Sequence, residues 1–579
     1  MKLSAVGLFF GLFAMASAQC YNCFYADGSP SCDACPKVIN GGCGGCIGGC
    51  PAAPGGASAS QEVITPSTHL GLHRPSIQRS KMMQRPFKLS NPDLLHEASY
   101  VHGEWIQAAS GKTFIITDPG SGIAWASCPD NSVQDVNNAV QSSYRGFLEY
   151  RGYTARKRAQ LLLEWHRLIG ESKEDLAKLV TYETGKPLAE ARGEIDYSLG
   201  FAWWFAGEAE RIQGTIGASS CAERRVLTIK QPIGVTVALV PWNFPIAMIM
   251  RKASAAFAAG CSMIVKPSPE TPLSCLALAD LANRAGFPAG TFNVLTTSLG
   301  NTPGLSEALC THPLVAKVTI TGSTRVGKIV AGLCAQVLKK CTLELGGNCP
   351  VVVFDDADIG QAIDQIMALK WRNAGRACIT ANRVYIQAGI YEKFATAFSE
   401  KISKFKTGHG ADPANNFGAV TTLAGLEKAE SQVKNALENG AKLRTGSGKP
   451  LVLSSSGDNS QFMEPVVLTE MTQDMQMTKE ETFGPVCGLF KFETEEQVVK
   501  WANDTSLGLA SYVFTKNSDR LWRLFENLEA GMIGLNTGNG SAAESPFGGI
   551  KQSGYGKESG KDVAVAEYLV EKTGTLTVM

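Results

Sequence analysis

Charge is scarce and balanced. Only 18% of the 579 residues are Asp, Glu, Lys or Arg, and they leave a formal net charge of +1. That excludes the overall basic field that gathers nucleic acid or an anionic lipid surface, so neither a nucleic-acid nor a membrane partner is expected. Past the N-terminus no apolar run spans a bilayer, which takes about 20 residues. Val235 to Met250 is interrupted by Pro241, Asn243 and Pro245. No internal repeat is present, and the G-x-G-x-x-G dinucleotide fingerprint is missing. What remains is 44% apolar, ordinary for a soluble globular protein. The chain exceeds the roughly 250–300 residues at which one core stops growing, so two or more packed domains are expected.

Cysteine is unevenly spread. Seven of the 17 fall between Cys20 and Cys50, as three C-x-x-C pairs and Cys50, and the other ten are scattered as in an enzyme with free thiols. Residues 1–18 resemble a signal peptide: Lys2, an apolar run from Val6 to Met15, then Ala16-Ser17-Ala18 with a cut before Gln19. Residues 19–50 form a Cys-rich module, either disulfide-bonded or binding a soft metal, with disulfides favoured behind a secretory signal. Residues 51–90 are expected to be a flexible linker, Gly/Ala/Pro/Ser-rich at first and then basic. Met82 or Met83 would suit the start of an intracellular enzyme. The segment thus points to secretion while the scattered thiols point inside the cell.

From about Asn91 the pattern is α/β. Ser132-Val-Gln-Asp135 is a capping box opening a helix. Ala159 to Val180 carries apolar residues at helical spacing until Thr184-Gly-Lys-Pro187 breaks it. Short β-rich runs lie at Val226–Ile229, Val235–Val240, Met263–Val265, Val318–Ile320 and Val351–Phe354, and helical stretches alternate with most of them, which predicts a parallel, doubly wound sheet.

Five segments carry chemistry. Trp371-Arg-Asn-Ala-Gly-Arg-Ala-Cys378 puts a thiol on a Gly-containing loop beside Arg372 and Arg376, cations expected to favour the thiolate. Leu343-Glu-Leu-Gly-Gly-Asn348 sets Glu344 at a strand-to-loop junction, where a carboxylate can serve as a general base. Pro241-Trp-Asn-Phe-Pro245 is a rigid turn after a strand, and an amide there, Asn243, can donate to an oxyanion. Val318 to Gly327 runs strand, glycine turn, helix start, a place for pyrophosphate. Val265-Lys-Pro-Ser-Pro-Glu-Thr-Pro272 offers Lys266 to a ribose or phosphate. Taken singly, each has an ordinary alternative: a packed thiol, a solvated acid, a turn Asn, a plain helix cap, a solvated lysine.

In order and spacing the five resemble the aldehyde dehydrogenase superfamily, with 34 residues from Glu344 to Cys378. Lys479-Glu-Glu-Thr-Phe-Gly-Pro485 and Ser545-Pro-Phe-Gly-Gly-Ile-Lys-Gln-Ser-Gly554 match two further motifs, and the likeness covers roughly 88–579. The resemblance implies a Rossmann-like cofactor domain over 91–344 carrying an oligomerisation hairpin at 214–232. It also implies an α/β catalytic domain over 345–552, an oligomerisation segment over 553–579, and a homodimer or homotetramer. It implies catalysis by Cys378, Glu344 and Asn243, and no metal. Cofactor binding falls to Trp242, Lys266, Gly322, Ser323, Gly327, Glu481 and Phe483. Pro269, where strictly NAD-dependent members carry Glu, leaves both NAD and NADP open.

Within the superfamily, Trp-Asn-Phe-Pro-Ile-Ala-Met-Ile-Met-Arg-Lys252 and Gly-Leu-Asn-Thr-Gly538 followed by Ser541 are similar to succinate-semialdehyde dehydrogenases. That implies oxidation of succinate semialdehyde in 4-aminobutyrate catabolism, in cytoplasm or mitochondrion, with Arg251, Arg372 and Ser541 holding the distal carboxylate. Arginine binds such a group in a planar fork. Arg376, Ala377, Thr380 and Asn539-Gly540 depart from the subfamily pattern. Two alternatives stay open: another semialdehyde or an aliphatic aldehyde, and a secreted Cys-rich binding protein whose enzyme fold is unused.

Overall fold

A computed structural model describes residues 85–453 and 461–578. The signal-like segment, the Cys-rich module and most of the 51–90 linker lie outside the described residues. The end of that linker corrects the expectation. Phe87 stacks on Tyr182 at 4.5 Å, and the Ser90 and Asn91 N–H groups donate to Asp175 at 2.8 Å. The chain is therefore docked before residue 91.

Ser132 caps the helix Val133–Tyr150, with both halves of the capping box formed. The single helix expected over Ala159–Val180 is two, Ala155–Glu171 and Lys173–Thr184, broken at Ser172. Apolar spacing runs on through that break because both helices bury the same side. Gly185, at φ +80°, ends the second in the left-handed conformation that glycine adopts without strain.

The first sheet carries five parallel strands in spatial order Phe292–Val294, Ser262–Lys266, Val235–Leu239, Val315–Thr321, Lys340–Glu344. In chain order this is 3-2-1-4-5. The order reverses between Val235–Leu239 and Val315–Thr321, and a ligand crevice opens at the C-terminal ends of strands at such a point. Pro241-Trp242-Asn243 leaves one of those ends and Gly322-Ser323 the other. Antiparallel strands flank the five: Ser99–Val101 with Glu104–Ile106 at one edge, Gly554–Tyr555 at the other.

The second sheet has seven strands, ordered Lys442–Thr445, Val466–Thr469, Val486–Phe492, Ala381–Gln387, Cys349–Val353, Ala510–Phe514, Met532–Leu535. All pair in parallel except the first. The changeover between sheets falls between Glu344 and Cys349. The third sheet is small and exposed: Thr215–Ala218, Arg224–Pro232 and Leu569–Thr577, antiparallel. The segment 553–579 is thus not one element. Gly554–Tyr555 completes the first sheet, Glu558 enters its core, and only Leu569–Thr577 joins the small sheet. Among the described residues no helix is long and apolar enough to cross a membrane, and the ten cysteines are free.

Candidate active site

The thiol-bearing loop follows the helix Ile359–Lys370 and turns sharply. Asn373, Ala374 and Gly375 all have positive φ, at 51°, 50° and 76°. Two of these are not glycine, and the left-handed conformation costs a non-glycine residue about 1–2 kcal/mol. Such strain persists only where surroundings over-determine it. Here they do. The Asn373 N–H donates to the Glu190 carboxylate at 2.7 Å, and its side-chain amide donates to the Asn243 carbonyl at 2.8 Å. Arg376 donates to the Asn373 carbonyl at 2.7 Å, to its side-chain oxygen at 2.9 Å and to the Ala419 carbonyl at 2.8 Å. At Gly375 an added Cβ would lie 2.2 Å from the Gly484 carbonyl oxygen. Gly375→Ala is therefore expected to displace the loop. The expected outcome is a lower melting temperature and loss of most activity, read by calorimetry and steady-state rates side by side.

Arg376 corrects an expectation. It is fully buried against backbone carbonyls and does not acidify Cys378. Burial pushes the Cys378 thiol well up, the Glu344 and Glu481 carboxylates push the same way, and Arg251 is the cation that opposes them. These surroundings favour the neutral thiol, whose proton needs an acceptor when the sulfur attacks.

Glu344 ends its strand, fully buried, with neither carboxylate oxygen hydrogen-bonded. Burial and the nearby Glu558 push it up to about 8, against the pull of Arg251 and Lys252. A carboxyl tuned to that range exchanges protons near neutrality, as a general base must. The paired glycines beside it serve close packing. A Cβ on Gly347 would lie 2.2 Å from the Cys378 carbonyl oxygen, and one on Gly346 2.8 Å from Glu481 Oε2.

Cys378 is part of the wall of two cavities. The first, about 330 Å³, lies at the sheet's switch point. Trp242, Asn243, Gly322, Ser323, Glu481 and Phe483 line it, along with Lys428. Ser323, in the wall of this cavity, caps the helix Thr324–Gln336, which sets the helix N-terminus at the cleft. Trp242 and Phe483 meet edge to face at 5.5 Å, and Glu481 accepts the Gly347 N–H at 3.0 Å. Switch point, helix N-terminus and aromatic wall fit a dinucleotide.

Two of the expected cofactor residues are not in the wall of this cavity. Gly327 faces the sheet, where an added Cβ would lie 2.3 Å from Leu345, so it serves helix packing. Lys266 is buried at a strand end, outside the lining of this cavity, and burial pulls its ammonium down to about 8.

The second cavity, about 430 Å³, lies on the other side of Cys378 and holds Arg251, Arg372 and Ser541 in its wall. Arg372 is exposed, with its guanidinium over the Phe244 ring at 5.3 Å. Arg251 is not the free fork expected. Its Nε and Nη2 both pair with Glu558 at 3.0 Å, Nη2 lies 3.9 Å from Glu344, and Nη1 alone is buried without a partner. Ser541 is hydrogen-bonded to the Tyr197 hydroxyl.

Asn243 donates its amide to the Arg376 carbonyl at 3.1 Å, and an amide nitrogen carries a second N–H. Behind it, Lys186 donates to the Asn243 carbonyl at 2.8 Å and forms a fully buried ion pair with Glu194. Glu194 also accepts the Ile246 N–H at 2.9 Å, which fixes the turn to the helix Pro245–Ala259. Sequence reasoning missed Lys186, Glu190, Glu194, Tyr197 and Glu558. Lys186 sat in view inside Thr184-Gly-Lys-Pro187, which reads as a helix stop. The others have no local signal, because their roles depend on partners tens to hundreds of residues away.

The chain matches the aldehyde dehydrogenase family over residues 105–573. It is 45% identical over 481 residues to a succinate-semialdehyde dehydrogenase [NADP(+)] of Schizosaccharomyces pombe, covering 83% of this chain and 95% of that protein. It is also 45% identical to a 3-sulfolactaldehyde dehydrogenase of Pseudomonas putida, over 83% of this chain and 97% of that one. A crystal structure of an aldehyde dehydrogenase from Brucella melitensis biovar abortus superposes with a TM-score of 0.82 at 43% identity, covering 85% of this chain and all of that one.

Proposed function

The chain belongs to the aldehyde dehydrogenase family, and from that premise we propose that it oxidises succinate semialdehyde to succinate through a thioester on Cys378. The observation that carries the reading is the position of Cys378 between two cavities, one fitted to a dinucleotide and the other walled by Arg251 and Arg372. As a member of the family it is an NAD(P)-dependent oxidoreductase. The nicotinamide, when bound, supplies the hydride acceptor.

The chain's own residues do the rest. Arg372 and the Arg251 Nη1 draw the distal carboxylate in, which sets the aldehyde carbon toward Cys378. Cys378 gives its proton to solvent water in the cavity as its sulfur adds to that carbon, giving a thiohemiacetal. The second Asn243 N–H and the Cys378 backbone N–H steady the oxyanion. After hydride leaves, Glu344 takes a proton from water as it attacks the thioester, and succinate is released.

Arg372→Ala tests the substrate assignment. The mutant is expected to lose about 10- to 100-fold in kcat/KM for succinate semialdehyde, the cost of a charge-assisted contact, and little for propanal. Equal losses on both substrates would refute the carboxylate clamp. The likeness to a 3-sulfolactaldehyde dehydrogenase favours one second reading, a sulfonate in place of the carboxylate. Asn539-Gly540 makes the loop before Ser541 polar, which suits a hydroxylated substrate. A higher kcat/KM for 3-sulfolactaldehyde than for succinate semialdehyde would select it. We further propose a homodimer or homotetramer built through the small sheet, whose strand Leu569–Thr577 presents an exposed edge that needs cover. A role in 4-aminobutyrate catabolism follows from the substrate proposal.

A further inference from the structure

The helix that leads into the thiol loop ends on a lysine the mechanism does not use. Lys370, the last residue of Ile359–Lys370, is fully buried. Its ammonium donates to the Asn382 side-chain oxygen and to the Gly484 carbonyl, each at 3.2 Å. Both acceptors are neutral, and a charge buried without a carboxylate beside it costs stability. The Gly484 carbonyl does not need the lysine, since it already accepts the Val486 N–H at 2.9 Å.

Lys370 joins two loops that meet at the cofactor cavity. One is the thiol loop, which leaves the helix at Lys370 and enters the strand Ala381–Gln387 beside Asn382. The Thr380 hydroxyl ties its far end back to the Leu369 and Lys370 carbonyls, at 3.1 and 3.2 Å. The other is the segment 477–484, which brings Glu481 and Phe483 into the cavity wall. At its start the Asn348 side-chain amide donates to the Met477 and Thr478 carbonyls at 3.1 and 3.0 Å, and in its middle Glu481 accepts the Gly347 N–H. Those two ties lead to the strand end that carries Glu344. Lys370 ties the end of the segment to the thiol loop instead. Phe483, next to that tie, is held at φ +50°, a conformation a non-glycine residue keeps only where its surroundings enforce it.

We propose that Lys370 is a positioning residue for hydride transfer: it keeps the segment bearing Glu481 and Phe483 in register with the loop bearing Cys378. The inference rests on the reading of Cys378 as the nucleophile and of the cavity beside Glu481 as the dinucleotide's. Without the amine both loops keep their other ties, so the dinucleotide still binds and the thiol still reacts. What is lost is the fixed distance between them. A misplacement of about 1 Å can cost about 100-fold in rate.

The test uses the full-length chain with Lys370→Met and, in case that variant does not fold, Lys370→Leu. Enzyme in excess is mixed with limiting NADP and saturating succinate semialdehyde or propanal, and the rate constant for NADPH formation is read in a single turnover. A partly unfolded preparation keeps the same rate constant as long as active sites outnumber NADP. The expected result is a fall of about 10- to 100-fold. NADPH binding, read by fluorescence, should persist, and iodoacetamide labelling of Cys378 in the cofactor-free chain, read by peptide mass spectrometry, should be unchanged. An unchanged rate constant overturns the proposal. So does a fall in Cys378 labelling that matches the fall in rate, which places the damage in the thiol loop alone, and so does loss of NADPH binding. An unsubstituted chain that forms no NADPH from either aldehyde sinks the parent reading and this one with it, whereas an active chain indifferent to Lys370 sinks this one only.

Discussion

Cys378→Ala is expected to bind NADP normally and to oxidise no aldehyde. Removing a covalent nucleophile costs about a millionfold in kcat where it has been isolated in other enzymes. Nothing else at the junction of the two cavities can replace it. The neighbouring Cys349 is fully buried, its own thiol turned to the Cys378 carbonyl at 3.4 Å. The fold should survive, because Cys378 is half-buried and the loop around it is fixed by Glu190, Asn243 and Arg376. Steady-state rates, a melting curve and a cofactor titration together check this. Measurable oxidation of succinate semialdehyde by the alanine variant would place the nucleophile elsewhere.

Glu344→Gln should separate the two halves of the reaction. Acylation and hydride transfer would proceed once, and hydrolysis would slow by about 100- to 10,000-fold, the usual worth of a positioned base. The readout is a burst of NADPH close to one equivalent per site, followed by a slow steady state. Its pH dependence follows from the direction of the shift. A carboxyl raised to about 8 is protonated, and idle as a base, below that pH, and active above it. Turnover limited by hydrolysis should climb with pH through that region in the unsubstituted enzyme and stay flat in the Gln variant. A buried Gln also stands where the Arg251 guanidinium lies 3.9 Å from a carboxylate now, so the melting temperature needs the same control.

What could be read from the sequence was whatever has local cause. The Ser132 capping box, the strand cores and the Gly185 stop each depend on a few consecutive residues, and each is found within a residue or two of its expected place. The division at Glu344 was readable only as what the family resemblance implies. Three things were not. The Ser172 break is silent, since two helices burying one side keep a single apolar pattern. The thiol's electrostatics could not be read, because Arg372 and Arg376 adjoin Cys378 in sequence while the charges that govern it come from Glu344, Arg251 and Glu481. Gly327 fitted a phosphate motif by spacing, and only the approach of Leu345 shows that packing requires it. In each case the deciding neighbour arrives from another part of the chain.

The central claim is that one sulfur carries the acyl group, and trapping that group tests it most directly. Glu344→Gln mixed with NADP and succinate semialdehyde, quenched in acid and digested, should yield the Cys378 peptide heavier by one succinyl group. An unmodified Cys378 peptide alongside a full burst of NADPH, or the succinyl group on any other residue, would contradict it.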